Sequence, residues 1–173
     1  MPRINLGVAI SVPQPWRDEL SAWRERVGDP EGARVPPHVT LLPPTQVPAA
    51  RIEEIDEHLA ATADGCAPFE IHLSGTGTFR PVSDVVFVVV ATGIAQCEQL
   101  ESLVRSGPLG RDSRFPYHPH VTVAHDIDAA GLDAAYGGLA GFEARFRVSC
   151  FSAFEQGEAG VWLPRREFAL RGG

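Results

Sequence analysis

Two histidines and two threonines stand out because the chain presents them twice in the same short phrase. The phrases are Pro37-His38-Val39-Thr40-Leu41 and Pro119-His120-Val121-Thr122-Val123. In an extended strand, side chains at i and i+2 share a face. His38 and Thr40 therefore project together while Val39 and Leu41 turn away, and His120 with Thr122 repeats the arrangement 82 residues later. Two imidazoles suit general acid–base chemistry on a phosphodiester. A neutral histidine takes a proton from the attacking oxygen while a protonated one supplies the leaving oxygen, and an ordinary pKa of about 6.5 allows both roles. In-line displacement puts those oxygens on opposite sides of phosphorus, so the histidines should come from opposite walls of a cleft. The Thr40 and Thr122 hydroxyls, with backbone N–H groups, can then hold the nonbridging oxygens as charge builds. The scheme needs no metal and no other cofactor. Which histidine is base and which is acid stays open, because the motifs are alike.

The elements that must position these groups follow from periodicity. Ile4, Leu6, Val8, Ile10 and Val12 alternate with small and polar residues, as in a half-buried strand that Pro13 and Pro15 end. Trp16, Leu20, Trp23 and Val27 then recur at helical spacing up to Gly28. After a loop comes the first motif strand, which Pro43-Pro44 should stop. Ile52, Ile55 and Leu59 mark a helix within residues 49–63. Phe69, Ile71 and Leu73 open a strand that runs to Phe79. Gly75 and Gly77 fall on the face of Ile71 and Leu73, where missing side chains would admit a ligand or another backbone. The run Val85–Val90 is apolar on both faces and should be a central strand.

The order then restarts. A helix is expected over 94–104, a loop from Gly107 to Tyr117, the second motif strand from His120 to His125 and a short helix over 132–139. One alternating stretch runs from Phe142 to Phe154, with closing strand pieces at 161–163 and 168–170. A shift of 82 residues lays Ile4, Leu6 and Val8 on Val86, Val88 and Val90 as well as His38 on His120. The expected fold class is α+β. A single domain, 1–173, should hold two pseudo-symmetric lobes from an approximate repeat, 1–84 and 85–171. Each lobe would be a mainly antiparallel sheet with helices on one side, with the active-site cleft between them.

Composition narrows the partners. Hydrophobic residues make up 44% and charged residues 21%, which is ordinary for a soluble globular protein. A formal net charge of −7, with no lysine, excludes a protein that coats long duplex nucleic acid, but leaves room for a local pocket that takes one phosphate. The three cysteines, Cys66, Cys97 and Cys150, are odd in number and widely spaced, which reads as reduced thiols. The N-terminus has no apolar signal region, and the longest apolar run, Val85–Ala91, is too short for a bilayer. A cytoplasmic monomer without membrane contact is expected.

The paired motifs resemble the two-histidine phosphoesterase superfamily, which includes bacterial 2′-5′ RNA ligases and RNA 2′,3′-cyclic phosphodiesterases. Its members carry two His-x-Thr or His-x-Ser motifs in a two-lobed fold. The stretch Leu73–Phe79 followed by Val85–Val90 is also similar to the family's segment between motifs. The resemblance implies cleavage of a cyclic phosphate to a 2′-phosphate end, or ATP-independent 2′-5′ joining, with an RNA terminus or a small cyclic nucleotide as substrate. Family members often carry a basic residue soon after the second motif, where this chain has His125-Asp126. By strand parity His125 should face away from His120. Arg80, Arg111 and Arg114 are candidates to attract phosphate, and Phe115 and Tyr117 to stack a base. Two other readings stay open. One is a metal-dependent enzyme using His118 and His120 with a third ligand such as His38 or an acid. The other is a non-catalytic module that holds a nucleotide or an RNA end.

Overall fold

The computed structural model describes residues 2–110 and 116–173. Its strands are β1 (Arg3–Ser11), β2 (His38–Pro48), β3 (Phe69–Thr78), β4 (Val85–Thr92), β5 (His120–His125), β6 (Glu143–Val148), β7 (Cys150–Gln156) and β8 (Trp162–Ala169). Its helices are α1 (Trp16–Arg26), α2 (Ile52–Asp64), α3 (Ile94–Val104) and α4 (Ala129–Gly138). The strands form one eight-stranded sheet in the order β6-β3-β4-β5-β2-β1-β7-β8, and every neighbouring pair is antiparallel. The α+β class holds, and the two motif strands β2 and β5 lie side by side at the centre of the sheet.

One half of the sheet is β6-β3-β4-β5 and the other is β2-β1-β7-β8; taken as lobes, each draws strands from both 1–84 and 85–171. β3 joins the later strands because only residues 79–84 separate it from β4, and so short a connection makes an antiparallel hairpin, with Thr78 opposite Val86. The stretch expected as one strand from Phe142 to Phe154 is two. β6 pairs with β3 and β7 with β1, at opposite ends of the order, with Ser149 alone between them. The sheet must therefore curl until its two wings meet there.

Helices cross between the lobes. α1 follows β1 but packs on β5, and α3 follows β4 but packs on β2. α4 covers β3, β4 and β5, while α2 lies against α3 and β8. A single core results, in which Leu6, Val8, Val39, Val88 and Val121 of the sheet meet Leu20, Leu59, Leu100 and Leu132 of the helices. Burying each such side chain contributes roughly 1.5–3 kcal/mol.

β2 does not stop at Pro43-Pro44. β5 pairs with it only at Val39, so further along that edge is free, and a proline without an N–H costs the ladder nothing there. The three cysteines are unpaired. Among the described residues no helix is long and apolar enough to cross a membrane.

Candidate active site

β2 and β5 run antiparallel and share one rung, Val39 opposite Val121. Both valines are fully buried against the helices, as are Leu41 and Val123 within 1%. His38, Thr40, His120 and Thr122 are half-buried on the opposite face. The antiparallel rung sets His38 and Thr122 to one side of it and Thr40 and His120 to the other. Each histidine thus sits across from the other motif's threonine. The structure brings the four motif residues together at one cleft.

Each imidazole is tied the same way. The Nδ1–H of His38 donates to the Pro36 carbonyl at 2.8 Å, and that of His120 to the His118 carbonyl at 2.7 Å. A carbonyl can only accept, so Nδ1 carries the proton and Nε2 faces the cleft with a free lone pair. Aromatic rings wall both histidines. Trp162 lies 4.5 Å from His38 and 5.1 Å from Phe154. Phe79 and Phe87 lie 5.1 and 5.2 Å from His120 and 4.6 Å from each other. Among the described residues neither threonine hydroxyl has a protein partner, so both can bond a ligand.

This setting weakens both bases. Desolvation lowers the His38 pKa to about 4, helped by the positive charges of Arg24 and of His120, against the pull of the Pro36 carbonyl. Desolvation also lowers His120, with His118 adding to it and the His118 carbonyl opposing it. The cleft above the four residues encloses about 570 Å³ and is also lined by Arg24, Phe79, Trp162 and His125. A second, apolar hollow of about 580 Å³ shares Thr40, Phe79 and His120 with it and continues to Tyr117 and His118.

Other expected residues lie elsewhere. Arg80 does not line the cleft: its Nη1 pairs with Asp133 at 2.8 Å and its Nε donates to the Thr78 hydroxyl at 3.2 Å. Tyr117 borders the apolar hollow, but its hydroxyl donates to the Thr40 carbonyl at 2.6 Å, tying the approach to β5 onto β2. Arg111, Arg114 and Phe115 lie outside the described residues. The ring of His118 stands 5.7 Å from that of His120, whose Nδ1 is already engaged. Among the described residues no three His, Cys, Asp or Glu side chains gather as a metal site.

His125 corrects the parity argument. Thr122 is opposite Phe87, but Ala124 is opposite Val86, so β5 bulges and both Val123 and Ala124 turn inward. His125 is thereby brought back to the cleft side, next to Asp126 at 3.2 Å. β2 has the same bulge: Thr40 is opposite Ala9 and Leu42 opposite Val8, with Leu41 and Leu42 both buried. Gly77 is corrected for a similar reason. Gly75, at φ +71°, makes a bulge in β3, after which Gly77 leaves the face of Leu73 and stands opposite Phe87. The space it leaves is filled by the Phe87 ring.

Arg24 and Asp29 were not anticipated. Arg24 is a helical arginine only 8% exposed, and its Nε pairs with Asp29 at 2.7 Å. Gly28 at φ +85° turns the chain after α1, so that the Asp29 N–H caps the Arg24 carbonyl at 3.0 Å and the carboxylate swings round to the guanidinium. The one sequence signal was the Gly-Asp pair after the helix.

Known proteins share this plan. A protein of Oceanobacillus iheyensis named "Putative phosphoesterase OB1230" is 28% identical over 169 residues, covering 96% of this chain and 98% of its own. A "Putative phosphoesterase" of Bacillus cytotoxicus is 30% identical over 127 residues, 73% of each chain. The structure of E. coli LigT with NADP+ superposes with a TM-score of 0.73 at 24% identity, covering 98% of this chain and 99% of that one. The 2′-5′ RNA ligase superfamily pattern matches residues 12–159, a span that holds both motif strands and the helices that cross between the lobes. With two tautomer-locked histidines facing one cleft in that frame, the chain belongs to the 2′-5′ RNA ligase superfamily, among the two-histidine phosphoesterases.

Proposed function

We propose that the protein hydrolyses 2′,3′-cyclic phosphates, at RNA ends or on small nucleotides, by metal-independent acid–base catalysis between His38 and His120. The observation that carries this reading is the matched pair of imidazoles, each fixed by Nδ1 to the carbonyl two residues back and each presenting Nε2. Family membership supports a phosphoesterase. E. coli LigT has been crystallised with 3′-AMP, with ATP and with phosphate, which supports a nucleotide-sized substrate here.

The motifs are alike, but their surroundings are not. Arg24's charge adds to desolvation at His38, so a single proton shared by the pair rests on His120. His38 is then the base and His120 the acid. Water attacks phosphorus and gives its proton to His38 Nε2 as the new P–O bond forms. The bond from phosphorus to the 3′ oxygen breaks, and His120 Nε2–H protonates that oxygen, leaving a 2′-phosphate and a 3′-hydroxyl. The Thr40 and Thr122 hydroxyls donate to the nonbridging oxygens throughout. Solvent then returns a proton to His120 and removes one from His38.

The test is turnover of 2′,3′-cyclic AMP and of an oligonucleotide with a cyclic-phosphate end, by EDTA-treated protein, with products read by phosphorus NMR. His38→Ala and His120→Ala should each lower kcat about 10²–10⁴-fold. Activity that chelation abolishes and zinc restores, or binding without turnover across both substrates, would reject the proposal.

A further inference from the structure

Arginine is seldom buried, because taking a guanidinium out of water is costly unless its donors are met. Arg24 commits only its Nε, to Asp29 Oδ2. Asp29 is 2% exposed and engaged at both oxygens: Oδ2 also accepts the His125 N–H at 3.0 Å, and Oδ1 accepts the Glu31 N–H at 2.9 Å. That carboxylate therefore fixes one edge of the guanidinium and links it to the end of β5. The two η-amino groups have no protein partner among the described residues, and neither is sealed from solvent. Arg24 is the one arginine among the described residues lining the cleft that holds His38, Thr40, His120 and Thr122. Among the described residues, two other arginines near the site are already paired: Arg80 with Asp133, and Arg105 with Glu101 at 3.3 Å.

We propose that Arg24 is the anion-binding group of the cleft, its two η-amino groups donating to the oxygens of a phosphoryl group held between the histidines. The planar fork suits two oxygens of one phosphoryl group. Asp29 is the positioning residue: it holds the fork in place and neutralises it while the site is free. The inference rests on the phosphoesterase reading and adds the residue that reads the charge. Through Asp29 the fork is also tied to the His125 backbone, at the end of the second motif strand.

The experiment uses inorganic phosphate and 2′-AMP as probes, with affinity read by calorimetry and the His38 titration by NMR. Arg24→Met should weaken both ligands at least tenfold and raise the His38 pKa, because a neighbouring positive charge is removed. Arg24→Lys should fall between, keeping the charge and losing the fork. Since Arg24→Met leaves Asp29 buried and unpaired, Arg24→Met/Asp29→Asn is the second variant, with no orphan charge. Either variant, folded by circular dichroism and binding phosphate as tightly as wild type, would overturn the proposal. If wild type binds phosphate through Arg24 yet turns over no cyclic phosphate, the proposed reaction fails and this assignment stands. Turnover with unchanged binding in the Arg24 variants overturns the assignment alone.

Discussion

Gly77→Ala tests whether the aromatic wall behind His120 sets its position. Gly77 does not have a positive φ, so alanine fits the backbone and only space is at issue. The added Cβ would stand 2.7 Å from Cε2 and Cζ of Phe87, about 0.7 Å short of ordinary contact at 3.4 Å. Phe87 is 5% exposed and packs on Phe79 at 4.6 Å and on His120 at 5.2 Å. A displaced ring presses on these two and on His118, whose ring lies 5.3 Å away. Overpacking of this kind costs about 1–3 kcal/mol of stability. Its larger effect should be on rate: displacing a catalytic group by about 1 Å can cost 10²-fold. The assay is kcat for a 2′,3′-cyclic nucleotide, with a thermal melt to confirm folding. Gly77→Ala/Phe87→Leu, which removes the colliding ring atoms, should recover most of the stability. A folded Gly77→Ala protein with kcat within a factor of two of wild type would refute the idea that Phe87 transmits position to His120.

Acid should weaken both fold and activity. The His38 pKa is lowered from 6.5 to about 4 and that of His120 is lowered too, so unfolding binds protons and stability falls as pH drops below 6.5. For His38 the loss approaches about 3 kcal/mol once pH is below about 4, which urea titrations across pH 4–7 would detect and His38→Gln would abolish. The pair carries one proton only between its two pKa values, so the kcat/KM profile of the free enzyme should peak between about 4 and 6.5, and an optimum above 7 would contradict it. Tyr117→Phe removes the 2.6 Å bond to the Thr40 carbonyl; a loss of about 1 kcal/mol in stability is expected by chemical denaturation, with KM unchanged.

Pattern reading went furthest where the strand period is unbroken. His38, Val39 and Thr40, and likewise His120, Val121 and Thr122, alternate as expected because each motif lies before its bulge. It failed one step later. Leu41-Leu42 and Val123-Ala124 are adjacent apolar pairs, and a regular strand with one wet face cannot bury both members. Each pair was the visible sign of a bulge, and reading it would have placed His125 on the cleft side. Gly77 failed through the left-handed Gly75, whose backbone state a sequence does not announce. The halves of the sheet mix strands from 1–84 and 85–171 because self-similarity orders elements along the chain, while pairing follows short connections such as residues 79–84. Arg24 was hidden for another reason: nothing in Trp23-Arg24-Glu25 separates a buried arginine from a solvated one.

A repeated motif alone cannot give a reaction a direction. Two equal histidines across one rung would share a proton equally, and base and acid would be interchangeable. The elements that break the symmetry lie outside the motifs. α1 buries Leu20 and Arg24 where α3 buries Cys97, Leu100 and Val104, so only one crossing helix delivers a cation to the cleft. Its positive charge sits where it discourages a second one on His38. On the reading above, this charge binds the phosphoryl group and adds to the desolvation of His38 that leaves the proton on His120. Both roles are read in one variant. Arg24→Gln/Asp29→Asn should lose phosphate affinity and also narrow the gap between the two histidine pKa values, bringing the limbs of the kcat/KM profile closer together. Retention of both limbs at their wild-type positions would mean that the difference between the histidines comes from the Trp162 and Phe79–Phe87 walls instead.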